Sequence, residues 1–158
     1  MRTIRIVCVG KTQEPYLIEG IRQYEKKLKR FCRLSWMFTK EVPYQKRNAN
    51  AWRETDQKNL AKNLQSSSFT IACDEKGKSF TSKQLADCLQ TTANSGISQI
   101  DFIIGGPFGL PESIVRSADL VLSLSQMTFT HQMVRLILIE QIYRAFSILH
   151  NTPYHHSG

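Results

Sequence analysis

The segment "HQMVRLILIEQIYRAFSILH", His131 to His150, constrains this chain more than any other. After its first turn Arg135, Glu140, Gln141 and Arg144 are the only charged or amide side chains among the apolar residues, and it holds no Gly or Pro. A helix that is apolar nearly all round has no face to give to water and must be buried on more than one side. No run in the chain approaches the length of a membrane span. In a chain of 158 residues the simplest extra cover is a second subunit, so the segment predicts a homodimer built on this helix.

The remainder alternates strands with helices. Thr3–Val9 is a continuous apolar run suited to the middle of a parallel sheet. Pro15 to Arg30 reads as a helix, "RLSWMFTKEV" from Arg33 as a strand, Pro43 to Asn50 as a polar loop and Ala51 to Gln65 as a helix. "FTIACD" from Phe69 is a third strand, with a turn at Gly77 and a helix from Ser82 to Ala93. "QIDFIIGG" is a fourth strand, Pro111 opens a short helix, and "ADLVLSLS" from Ala118 is a fifth strand. This pattern predicts one α/β domain over residues 1–158, a mostly parallel sheet flanked by helices, without linker or repeat.

The net charge of +8 is unevenly placed. Residues 1–65 hold 15 Lys and Arg against 6 Asp and Glu, densest in "RQYEKKLKRFCR", while residues 66–158 hold 6 against 7. Such an excess is either a solvated helix face or a surface for a polyanion, nucleic acid foremost. The N-terminus lacks the apolar run and small-residue cleavage site of a signal peptide, which predicts a cytoplasmic protein. Cys8, Cys32, Cys73 and Cys88 are scattered without a C-x-x-C pair and read as buried thiols rather than metal ligands or a disulfide framework.

"FIIGGPFGL", Phe102 to Leu110, poses the functional question. A strand running into clustered glycines either turns tightly or cradles a ligand. The spacing matches neither a dinucleotide-binding turn nor a P-loop, and Pro107 removes a backbone donor. Ligands of open α/β sheets bind beyond the carboxyl ends of the strands. Here those ends are Cys73-Asp74, Gly105-Gly106 and the loop "SLSQMTFTHQ" from Ser123. That loop has hydroxyls, Met127 and Phe129 but no cation, which suits a nucleoside better than a phosphate.

With "IGGPFGL", "LSLSQMTFTHQMVRLILIEQIYRA", "PYHH", "IRIVCVGK" and "DEKGK" in this order, the chain closely resembles the ribosomal RNA large-subunit methyltransferase H family of SPOUT methyltransferases, end to end. The resemblance implies S-adenosylmethionine (SAM) as cofactor and methylation of N3 of a pseudouridine in 23S ribosomal RNA, on the assembled ribosome. It also implies a C-terminal deep trefoil knot, with the cofactor held at a dimer interface. The cofactor contacts implied are Cys73, Gly105, Leu124, Ser125, Gln126, Met127, Thr128 and Phe129. The catalytic residues suggested are His155, as base or as a solvated tail histidine; Arg135, on RNA phosphate or the base or as a structural cation at a subunit interface; and Tyr154, stacking on the target base or anchoring the tail. Neither metal nor membrane is expected. Two positions depart from the family: Thr130-His131 replaces Pro-His, and His156 replaces an Arg or Lys. A basic ribosome-binding module and a flavodoxin-like nucleotide-binding protein are the alternatives that SAM binding separates.

Overall fold

The computed structural model describes residues 1–42 and 48–156. Strands β1 (Arg2–Val9), β2 (Cys32–Thr39), β3 (Phe69–Ser79), β4 (Gln99–Ile104) and β5 (Leu120–Ser123) alternate with five helices: α1 (Pro15–Leu28), α2 (Ala49–Ala61), α3 (Ser82–Asn94), α4 (Glu112–Ser117) and α5 (His131–Leu149). The strands pair in parallel in the order β2-β1-β4-β3-β5. The α/β architecture expected from the alternation is therefore present, with every element type in its expected place in chain order.

Two cores sandwich the sheet, and β1 shows how the sequence feeds both. Successive side chains of a strand point to opposite faces. Ile4, Ile6 and Cys8 enter the larger core with Phe102, Leu138 and Ile142, whereas Val7 and Val9 enter the smaller with Leu60, Ile103 and Ile114. Helices α1, α3 and α5 cover the first face, and α2 and α4 lie together against the second. Covering both faces explains the near-continuous apolar runs of β1 and β4. Arg5 falls on the second face and pairs with its register partner Asp101, Nη2 to Oδ2 at 2.5 Å and Nε to Oδ1 at 3.0 Å. Asp101 has no accessible surface. A buried carboxylate of this kind is tolerated because it is paired and hydrogen-bonded.

Helix α5 gets much of its cover within the protomer. It lies between α1 and α3, with Arg135, Leu138, Ile139, Ile142, Tyr143, Ala145, Phe146 and Ser147 buried. A half-buried stripe remains, carrying Met133, Ile137, Gln141 and Arg144. Part of what the sequence demanded of a second subunit is thus supplied by two helices of the same chain.

Three details differ from the sequence reading. The turn expected at Gly77 is absent, and β3 runs on to Ser79 through a register shift in which Cys73 and Lys78 both pair with Leu122. A Cβ on Gly77 would lie 2.7 Å from the Val121 carbonyl oxygen, so the glycine serves close strand approach. Pro111 is the residue before α4 rather than its first, and α2 spans Ala49–Ala61 rather than Ala51–Gln65. The loop expected at Pro43 to Asn50 falls largely on residues 43–47, outside the described residues.

Candidate active site

The carboxyl ends of β3, β4 and β5 open onto a cleft of about 770 Å³. Three backbone segments form its walls: Cys73–Lys76 of β3, where its pairing with β4 stops, the loop 104–110 after β4, and the loop 124–130 after β5. His131 and Val134, at the start of α5, close the fourth side. Cys73, Gly105, Leu124, Ser125, Met127, Thr128 and Phe129, expected together from sequence, all line this cleft, whereas Gln126 does not.

The glycine cluster of "FIIGGPFGL" has a geometric role. Gly109 N–H donates to the Gly106 carbonyl at 3.0 Å, closing a tight turn with Pro107 and Phe108 between. Gly109 sits at φ +82°, where side chains are rarely tolerated. The turn folds back on Gly105, whose added Cβ would lie 2.4 Å from the Gly109 carbonyl carbon and oxygen. Gly105 is thus required by the loop's approach to itself. Phe108, at the tip, is 55% exposed and meets Trp52 of α2 edge-on at 5.2 Å.

Loop 124–130 is held by its own hydroxyls. Ser123 Oγ donates to the Ser125 carbonyl at 2.9 Å, and Met127 N–H donates to Ser125 Oγ at 2.9 Å. Thr128 Oγ1 reaches across to Glu75 Oε2 at 2.8 Å, linking the β5 loop to the end of β3. Thr130 accepts from Met133 N–H at 3.2 Å and caps α5. Met127 is left 75% exposed.

The lining is apolar in its floor, with Ile104, Leu110 and Leu122, and its charged side chains lie on β3. Asp74, Glu75 and Lys76 stand together there, with no arginine in the lining. Asp74 Oδ1 accepts from Lys76 N–H at 2.8 Å, fixing the bend after Cys73. Burial, with Cys8 and Asp74 adding to it, pushes the Cys73 thiol up to about 12, so at neutral pH it is a protonated packing residue. The sequence reading missed the floor residues and the Glu75–Thr128 link. The position of "DEKGK" just past a strand end was the available signal.

The three residues suggested for catalysis lie apart from these walls. Arg135 has no accessible surface; its Nη1 donates to Thr12 Oγ1 at 3.0 Å and its Nη2 to the Val9 carbonyl at 2.9 Å. Its guanidinium lies 5.9 Å from the Phe38 ring centre. Within the protomer it binds the exit of β1 to α5 and has no surface to offer RNA phosphate. Tyr154 donates to Glu140 Oε1 at 3.1 Å, and its hydroxyl lies 3.2 Å from that of Tyr24. Its ring meets Tyr143 edge-on at 4.7 Å, with the Arg144 guanidinium 4.7 Å above it. Burial, aided by Tyr24 and Glu140, pushes the Tyr154 hydroxyl upward, so it remains neutral. His155 is half-buried, and its Nδ1 is buried without a hydrogen-bond partner among the described residues. The cleft lies at the start of α5 and this tail packs beside its second half, in a helix of 19 residues that spans about 28 Å.

Among the described residues no group of three or more His, Cys, Asp or Glu is placed to hold a metal ion. No helix among them is long and apolar enough to cross a membrane.

Comparison with known proteins agrees with this architecture. The family model described as a predicted SPOUT methyltransferase matches residues 1–155. The chain is 44% identical over 162 aligned residues to the "Ribosomal RNA large subunit methyltransferase H" of Desulforamulus reducens, covering 98% of this chain and 99% of that one. It is 42% identical to the protein of the same name from Halothermothrix orenii, covering 96% and 98%. In fold it is similar to a "probable methyltransferase" from Bordetella pertussis Tohama I, with a TM-score of 0.57 at 10% identity, covering 90% of this chain and 95% of that one. A "probable methylase family protein" from Haemophilus influenzae Rd KW20 gives a TM-score of 0.55 at 12% identity, covering 98% and 70%.

Proposed function

Since the chain belongs to the SPOUT methyltransferase family, we propose that it transfers a methyl group from SAM to N3 of a pseudouridine in large-subunit ribosomal RNA, in the cytoplasm and on the assembled ribosome. The relatives named for that RNA support the substrate class. The observation that carries the reading is the convergence of three strand ends on one cleft, seven of whose lining residues were expected together.

The lining fits the cofactor. A floor of Ile104, Leu110 and Leu122 suits an adenine ring, and the glycine loop presents backbone rather than side chains. Asp74 and Glu75 suit a ligand bearing positive charge, and the single lysine and absent arginine disfavour a phosphorylated one. Cys73, Gly105, Leu124, Ser125, Met127, Thr128 and Phe129 would hold SAM, with Gln126 beside them on the same loop. When bound, SAM supplies an electrophilic methyl on a sulfonium.

The chain's own work is then to align the acceptor nitrogen and remove its proton. Positioning supplies most of the gain. His155, half-buried in the tail beside Tyr154, takes the N3 proton as general base. Tyr154, neutral and braced by Glu140 and Tyr143, presents a ring edge for the base. Arg135 acts as a positioning residue, fixing the start of α5 against the exit of β1.

The distance between tail and cleft makes a homodimer part of this proposal. A two-fold contact along the half-buried stripe of α5 would set the tail of one protomer over the cleft of its partner. The trefoil knot belongs to the same reading and is supported by the return of α5 from edge strand β5 to a place between α1 and α3. Calorimetry tests the first step: SAM and S-adenosylhomocysteine bind, and NAD and ATP do not. Labelled-methyl transfer to purified ribosomes, followed by mapping of the modified nucleoside, tests the second. Absence of SAM binding would overturn the reading.

A further inference from the structure

We propose that the outward arc of α1, continued by the start of β2, is the surface that grips the phosphate backbone of the RNA, at the end of the sheet opposite the cleft; the inference rests on the RNA-methylation reading above. Because β1 is parallel to its neighbours, α1 runs back from the strand carboxyl ends, and its last turn lies at their amino ends. Arg22, Lys26, Lys27, Lys29 and Arg30 are all exposed along it, as is Arg33 on edge strand β2. Positions 22, 26 and 29 share one helical stripe.

These cations are left unneutralised. Among the described residues Arg22, Lys26, Lys29 and Arg33 have no ion-pair partner, although Glu25 lies on the same helix. Its carboxylate instead accepts from Trp36 Nε1 at 2.7 Å. The second half of the chain treats its cations differently. Lys83 pairs with Asp87, Arg116 with Glu112 and Arg144 with Glu140, each one helical turn away. The helix dipole favours cations in the last turn of α1 but not Arg22, which precedes it, or Arg33, which is on a strand.

A stripe of like charges repels itself, and a polyanion removes that repulsion by displacing counterions. A membrane surface is a poor match, because the flank opposite the arc is spent on the core: Leu17, Ile21 and Leu28 are buried. The arc also adjoins the tail. Lys27 Nζ lies 5.7 Å from the Tyr154 ring centre, and Arg30 donates to the Tyr143 hydroxyl at 3.3 Å. Phosphate contacts fix register without reading sequence. RNA held along α1 would therefore be delivered to Tyr154 and His155 in a set orientation.

The test compares wild type with the triple variant Arg22→Gln, Lys26→Gln, Lys29→Gln for binding to purified ribosomes over a salt series. Each lost phosphate contact lowers the slope of log affinity against log salt by about 0.7 to 0.9. The triple variant should therefore lose roughly two to three units of slope and about 100- to 500-fold in affinity near 0.1 M salt. Its S-adenosylhomocysteine affinity, measured by calorimetry, should match wild type. A control variant, Lys83→Gln with Arg116→Gln, removes two paired cations and should bind ribosomes as wild type does. Ribosome affinity and slope within about twofold of wild type in the triple variant would overturn the proposal. An equal loss in the control would overturn it too, by showing that net charge alone matters. Wild type that fails to bind S-adenosylhomocysteine would instead count against the methyltransferase reading.

Discussion

At the scale of single residues, Gly105 and the thiols carry distinct consequences. A side chain at Gly105 must push back the Gly106–Gly109 turn, since its Cβ meets that backbone at 2.4 Å. Gly105→Val should cost about 1–3 kcal/mol of stability and at least about tenfold in SAM affinity, through loss of one cleft wall. Thermal unfolding and calorimetry measure the two. Normal SAM affinity in this variant would place the cofactor elsewhere. The thiols make stability depend on alkaline pH. Burial pushes Cys8 and Cys73 from 9.0 up to about 12 and Cys32 up to about 11. The unfolded chain gives up these protons first, so their contribution is complete below about pH 9 and is lost as pH rises toward 11 to 12. Denaturant midpoints at pH 8 and pH 10.5 should show that fall, and Cys8→Ala should make it shallower. Equal slopes in the two proteins would remove Cys8 from the account.

At the scale of elements, α5 and its preceding loop meet two demands with one sequence. Thr130 supplies a helix cap through its hydroxyl, accepting from Met133 N–H. The half-buried stripe is where a partner would sit, and Ile137 is its apolar centre. Ile137→Glu should yield a monomer in analytical ultracentrifugation at micromolar concentration, with methyl transfer falling by about two orders of magnitude. A fully active monomer would remove the dimer from the mechanism. The five strands and five helices were legible because the apolar runs of β1 and β4 and the periodicity of the helices are local signals. Gly77 was misread because a glycine that admits a neighbouring strand looks the same, in sequence, as one that makes a turn. Arg135 could be read in sequence equally as an RNA contact or as a structural cation, because nothing local announces that Val9 and Thr12, more than a hundred positions away, will claim its donors. The cleft was legible as three strand ends plus a resemblance. Its floor, drawn from Ile104, Leu110 and Leu122, reads in sequence only as core.

At the scale of the whole molecule, charge, tail and cleft are segregated. Cations gather toward the amino ends of the strands, the tail with Tyr154 packs beside the second half of α5, and the cleft opens at the carboxyl ends. A protomer so divided keeps the two halves of its task about half the length of α5 apart. Genetics can read that separation. A protein with Gly105→Val and a protein cut after Pro153 should each be inactive alone, for opposite reasons. Co-expressed with different affinity tags and purified as a mixed pair, they should regain up to about half of wild-type methyl transfer, since one of two cross-chain sites is whole. A mixed pair as dead as its parents would mean that each protomer completes its own site. Recovery would make the unit of function a pairing of alleles, in which one copy's defect is masked by another copy's different one.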